Sequence, residues 1–83
     1  MTRTVIIAGS ESEAIDYCRK NGIDLGTAAF PTEAWQLEGL GMSNFIFCGD
    51  YKRNSLYGSF WLKTVIQSYE FLRRKAGLTV TWV

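Results

Sequence analysis

Residues 44–75, NFIFCGDYKRNSLYGSFWLKTVIQSYEFLRRK, decide the fold. Phe45 to Cys48 is a continuous apolar run closed by Gly49-Asp50, the pattern of a strand buried on both faces. A polar turn follows. From Asn54 or Ser55, either of which can cap a helix, the spacing predicts one long helix that Gly77 terminates. At 100° per residue, Gly58, Leu62, Val65, Ile66, Tyr69, Leu72 and Ala76 share one face, with Trp61 at its margin. Phe60, Thr64, Gln67 and Phe71 fall on the other.

The rest of the chain fits around this unit. Val5-Ile6-Ile7-Ala8 is a second apolar run, bounded by Gly9-Ser10. Ser10 with Glu13 makes a capping box for a helix that turns Ala14, Ile15 and Cys18 inward. Its acids lead and its bases follow, as the helix dipole favours. Asn21-Gly22-Ile23 predicts a C-cap with a left-handed Gly22. Thr27 to Phe30 reads as a short strand ended by Pro31. Thr32 can cap a short helix over Glu33 to Leu40, with Ala34, Leu37 and Leu40 or Trp35 inward. Leu78 to Val83 alternates as a final strand, Val80 and Trp82 on one face.

Strands alternating with helices across short loops specify the α/β class. The expected form is a small three-layer sandwich with a four-stranded, mostly parallel sheet and three helices. Right-handed crossovers make 2-1-3-4 the natural strand order. Eighty-three residues make one domain, residues 1–83.

Composition narrows the function. A formal charge of +1 with scattered basic residues disfavours nucleic acid as a partner. There is no histidine, which on composition excludes a zinc site as well as an imidazole base. Cys18 and Cys48, in apolar surroundings without CxxC spacing, read as buried free thiols of a reducing compartment. The opening MTRTVIIAG is too short in its apolar run for a signal peptide or membrane span, so a cytoplasmic protein is expected.

Ligands of open parallel sheets sit beyond the carboxyl ends of the strands. That edge collects Ser10, Thr32, Asp50, Lys52 and Arg53, the candidate ligand-binding residues. Ser10 opens a helix N-terminus that could take an anion. Glu11 and Glu13 place negative charge where a phosphate would come, and neither GxGxxG nor GxxxxGK[ST] is present. A capping serine is the simpler reading. Asp50 closes a buried strand, a position suited to a catalytic or metal-binding acid, but no partner acid or base lies nearby in sequence. Turn chemistry is the simpler reading there too. Lys52 and Arg53 add a positive edge suited to an acidic partner. No cofactor and no catalytic residue is assigned.

Aromatic residues carry the other signal: three Trp, four Tyr and five Phe in 83 residues. Tyr57, Phe60, Gln67 and Phe71 on the outer helix face, and Trp82 on the last strand, form the candidate interface. The final strand, TVTWV, has no charge or proline to blunt an open edge. Self-association as a homodimer, or a protein partner, is the expectation, without membrane contact.

The stretches TVIIAGSESEAIDYCRKNGID, TEAWQLEGL and NFIFCGD resemble small α/β accessory proteins encoded by bacteriophages of actinobacteria. The middle also looks like a fragment of a RecA-like core, with Thr32 ending one strand and Asp50 the next. It departs from that pattern in lacking a phosphate loop with lysine, and Tyr51 stands where a second acid would follow Asp50. The resemblance implies a degenerate, non-catalytic core of Rossmann type, and an accessory role on host factors. A small-ligand or nucleotide-binding module is the alternative.

Overall fold

The computed structural model describes residues 3–83. Four parallel strands form one sheet: β1 (Arg3–Ile7), β2 (Ala28–Ala29), β3 (Ser43–Phe47) and β4 (Val80–Trp82). The order is β2-β1-β3-β4, as expected, and every pairing is parallel. Val5 lies opposite Phe45 and Ile7 opposite Phe47. Alternation along these strands sends Val5, Ile7, Phe45 and Phe47 to one core and Ile6, Ala8 and Cys48 to the other. Both central strands are therefore apolar toward their carboxyl ends, residues 5–7 and 45–47, because each face is covered there.

Helix α1 (Glu11–Lys20) covers the second face with Ala14 and Cys18. Ser10 caps it, accepting from the Glu13 N–H at 3.2 Å. Its end follows the expected motif: Gly22 is left-handed (φ 67°) and the Ile23 N–H returns to the Cys18 carbonyl at 2.9 Å. Cys18 and Cys48 are both buried and free.

The other face departs from the single long helix. Residues 51–53 form a 3₁₀ turn, and helix α2 (Phe60–Ser68) starts only after Ser59, whose side chain accepts from Leu62 N–H at 3.2 Å. Gly58 lies outside the helix with φ 75°, so its role is the turn and not close helix packing. Neither Asn54 nor Ser55 caps α2. At Tyr69 the helix breaks, and α3 (Glu70–Ala76) begins. The face extrapolated through that break fails beyond it: Tyr69 and Leu72 are exposed, and Arg73 is buried instead. Leu62, Val65 and Ile66 do pack on the sheet.

The break has a physical cause. Tyr69 N–H bonds within the cap and leaves the Val65 carbonyl without its helical donor. The Arg73 guanidinium donates to the carbonyls of Val65, at 3.4 Å, and Ile66, and to that of Gly41 at 3.0 Å. It also stacks over Phe45, 5.4 Å from the ring centre. A cation on the carbonyls of a helix end is favourable, and three acceptors replace much of its hydration. Gly41 has room for no side chain, since the Tyr69 ring occupies the place of a β-carbon.

The short elements are shorter still than expected. β2 keeps two residues of the anticipated four. The segment 33–40 contracts to a 3₁₀ turn, Ala34–Leu37, capped by Glu33 rather than Thr32. Leu37 and Leu40 point inward, and Trp35 is exposed.

Candidate functional site

Two regions gather the residues with functional potential: the crevice beyond the strand ends, and the aromatic surface around α2.

The crevice lies beyond the carboxyl end of β1. Ser10, Glu11, Phe30, Thr32, Gln36 and Asn54 line a cleft of about 350 Å³, floored by Ile6, Ala8 and Ala14. Two of the five candidate ligand-binding residues, Ser10 and Thr32, thus share one cavity although they are far apart in sequence. Asp50, Lys52 and Arg53 do not line it. Asp50 is exposed and its carboxylate pairs with Arg53 Nε at 3.1 Å, while Lys52 stays on the exposed side of the 51–53 turn. Asp50 therefore belongs to a turn, stabilised by its own neighbour.

Sequence reasoning missed the residue that shapes the crevice. Asn54 is buried, and its Nδ2 donates to the carbonyls of Ala8 at 3.0 Å and Pro31 at 3.1 Å. Its Oδ1 accepts from Leu56 N–H at 2.9 Å. One amide thereby joins the end of β1, the exit of β2 and the loop after β3. Ser55 reinforces it by donating to the Thr32 carbonyl. A capping role was the only signal visible in the residue type at that position.

Glu13 supplies the second surprise. Its carboxylate does not return to Ser10, as a capping box would require, but accepts from Asp50 N–H at 3.0 Å. It lies against Gly9 and Gly49, where a β-carbon on either glycine would fall 2.6 Å from a Glu13 oxygen. The gap between the first and third strand ends, which an anion would enter in a nucleotide-binding fold, is filled by the protein's own carboxylate. Beside it, burial chiefly, and then the charge of Glu13, pushes the Cys48 thiol up from its ordinary range.

The aromatic region is larger. Phe47, Tyr57, Leu62, Ile66, Gln67 and Trp82 line a groove of about 380 Å³ between α2 and β4, with Lys63 at its rim. Trp82 stacks on Phe47 with centroids 3.9 Å apart and planes at 10°. Tyr51 meets both rings edge-on and also packs on Tyr57. Three of the five candidate interface residues, Tyr57, Gln67 and Trp82, meet here. The other two do not: Phe60 packs on Trp61, and Phe71 sits on α3 beside Lys75.

On the opposite flank of α2, Trp35 and Trp61 line a further groove of about 390 Å³ with Leu37 and Val65. The sequence left Trp61 at the margin of its helix and offered Trp35 as an inward alternative to Leu40; the late start of α2 and the shrunken 33–40 segment leave both exposed.

Among the described residues, no group of three or more His, Cys, Asp or Glu side chains is gathered as a metal ion would require. No helix among them is long and apolar enough to cross a membrane. No family model, curated protein or solved structure matches the chain.

Proposed function

We propose that this protein is a non-catalytic interaction module that associates through the aromatic side of its α2 layer. The observation that carries the reading is the exposure of all three tryptophans: Trp35 at 69%, Trp61 at 61% and Trp82 at 57%. Single exposed apolar residues are ordinary, but tryptophan is highly buried on average. Here three stand on the side of the sheet that α2 covers, joined by Phe60 at 72% and Tyr57 at 40%. Aromatic residues around apolar grooves, with few charges among them, are the composition of interface centres. The resemblance to phage accessory proteins makes a host protein a possible occupant besides a second copy. Chemistry has little support: the strand-end acid Asp50 is neutralised by Arg53, and Glu13 is committed to a backbone amide.

Light scattering and tryptophan emission across a concentration series test this reading. The expected result is a mass above 9.4 kDa with an emission maximum that moves to the blue as concentration rises. Tyr57→Asp combined with Trp82→Asp should return both to the monomer values. Constant monomer mass and constant emission, together with no change in partners on substitution, would overturn it.

A second reading rests on the cleft that Ser10 and Thr32 share: a small-ligand module at the strand ends. Glu11 on its wall and Glu13 beside it favour a neutral or cationic ligand over a nucleotide. A thermal-shift series with nucleotides and small polyols or amines tests it, since saturating binding raises the melting temperature of so small a domain by several degrees.

A further inference from the structure

Resting on the interaction reading, we propose that the occupant is a second copy of this chain, joined edge to edge through antiparallel pairing of β4 about a two-fold axis at Thr81. The two margins of the sheet differ. β2 is two residues long and is followed by Pro31, so it offers almost no template. β4 closes the other margin with no charged residue between Thr79 and Val83.

The hydrogen bonds of β4 fix what it can accept. Phe45 N–H donates to the Thr79 carbonyl, and Val83 N–H donates to the Phe47 carbonyl. In a parallel ladder this alternation turns Thr79, Thr81 and Val83 toward β3, and turns the backbone groups of Val80 and Trp82 outward. An antiparallel copy centred on Thr81 places Val80 opposite the second copy's Trp82 and Trp82 opposite its Val80. Both are then hydrogen-bonded pairs, and all four outward N–H groups and carbonyls of each pair find partners. Thr81 faces its own counterpart in the non-hydrogen-bonded site.

The side chains agree with that register. Val80 against Trp82 is a β-branched–aromatic pair, and Thr81 against Thr81 is a favourable polar one. A two-fold normal to the sheet keeps both α2 layers on the same side, so the Trp82 groove of each copy is closed by the other. A stable pair needs about 600 Å² from each copy, and the surface of one copy is 5370 Å². The short strand alone falls below this, so the pairing must also bury Trp82, Tyr57, Lys63 and Gln67 along the groove.

Cysteine trapping tests the register. In this pairing residue 81 is the position that meets itself, with α-carbons about 4.5 Å apart, within disulfide reach. Under mild oxidation Thr81→Cys should yield a covalent dimer at least ten times faster than Thr79→Cys, which would face Val83. Wild type, whose Cys18 and Cys48 are buried, serves as the control. Hydrogen exchange should show Val80 and Trp82 amides slowed in concentrated wild-type samples. Equal trapping at 79 and 81 would overturn the register. A dimer by light scattering with no trapping at 81, and no slowing at Val80 and Trp82, would overturn edge pairing and leave the interaction reading intact. Monomer mass throughout would overturn edge pairing, and together with no change in partners on substitution it would overturn the interaction reading as well.

Discussion

The carboxylate of Glu13 in the first turn of α1 holds the backbone N–H of Asp50 beyond the end of β3, 37 positions away, at 3.0 Å. This bond ties the two central strand ends together across the point where the sheet reverses its direction of winding. Its acceptor is charged, which makes it stronger than a neutral bond, and its place between Gly9 and Gly49 makes it hard to replace.

Substitution at Glu13 should therefore separate charge from geometry. Glu13→Gln keeps an oxygen acceptor and should cost under about 1 kcal/mol, whereas Glu13→Ala should cost about 1–2 kcal/mol. Urea unfolding measures both. Equal losses for the two would mean that the charge, and not the oxygen acceptor that glutamine retains, carries the contribution of the bond to Asp50.

Arg73 is buried against three carbonyls without a carboxylate partner, so its removal strands acceptors as well as losing a cation–π contact. Arg73→Met should destabilise by about 2–4 kcal/mol. Arg73→Lys should recover only part of this, because an ammonium cannot span the planar fork. A lysine variant as stable as wild type would show that charge alone, and not the fork, holds the α2–α3 break. Gly41→Ala should act on the same joint by displacing the Tyr69 ring, at a cost of about 1–3 kcal/mol.

Those two residues also mark where sequence reading stopped. Apolar runs at Val5–Ala8 and Phe45–Cys48, with a capped helix between, made the central strands, α1 and the 2-1-3-4 order legible from local pattern. The region from Asn54 to Ala76 was not, because its helical periodicity continues in sequence through a break made by a tertiary contact. Arg73, 32 residues from Gly41, carries no local signal of burial. Asn54 reads locally as a cap because its side chain suits one, yet its partners Ala8 and Pro31 lie 46 and 23 positions away. At the candidate sites, the pairing of Ser10 with Thr32 followed from topology, since both end strands on the same edge. Trp35, offered as an inward residue, and Trp61, left at a helix margin, required the true limits of their elements, which the residue pattern does not supply.

The buried thiols carry a pH dependence of known sign. Burial raises the pKa of both Cys18 and Cys48 in the folded protein, with Glu13 adding to the effect at Cys48. The folded state then holds its thiol protons to higher pH than the unfolded chain, whose cysteines titrate near about 8.5. Stability due to these groups is full below that value and is lost as pH rises through the folded pKa. Urea midpoints should fall between about pH 8 and pH 10. Cys48→Ala should flatten part of that fall, even though it lowers stability at neutral pH. An unchanged alkaline slope in the variant would assign the fall to other groups.

Phe60 and Leu62 stand two residues apart in the first turn of α2, and their exposures of 72% and 4% predict opposite outcomes. Leu62 belongs to the core with Phe45 and Phe47, so Leu62→Ala should cost about 2–4 kcal/mol through lost burial and the cavity left behind. Phe60→Asp removes nothing from that core and should change the unfolding free energy of the monomer by no more than about 0.5 kcal/mol. The association effect belongs instead to the β4 edge, where Trp82→Asp should weaken self-binding by tenfold or more, which corresponds to about 1.4 kcal/mol. Chemical denaturation at low concentration and sedimentation at high concentration read the two quantities separately. A Phe60→Asp variant that unfolds as easily as Leu62→Ala would place this ring in the fold, and the α2 surface would lose its claim to be an interface.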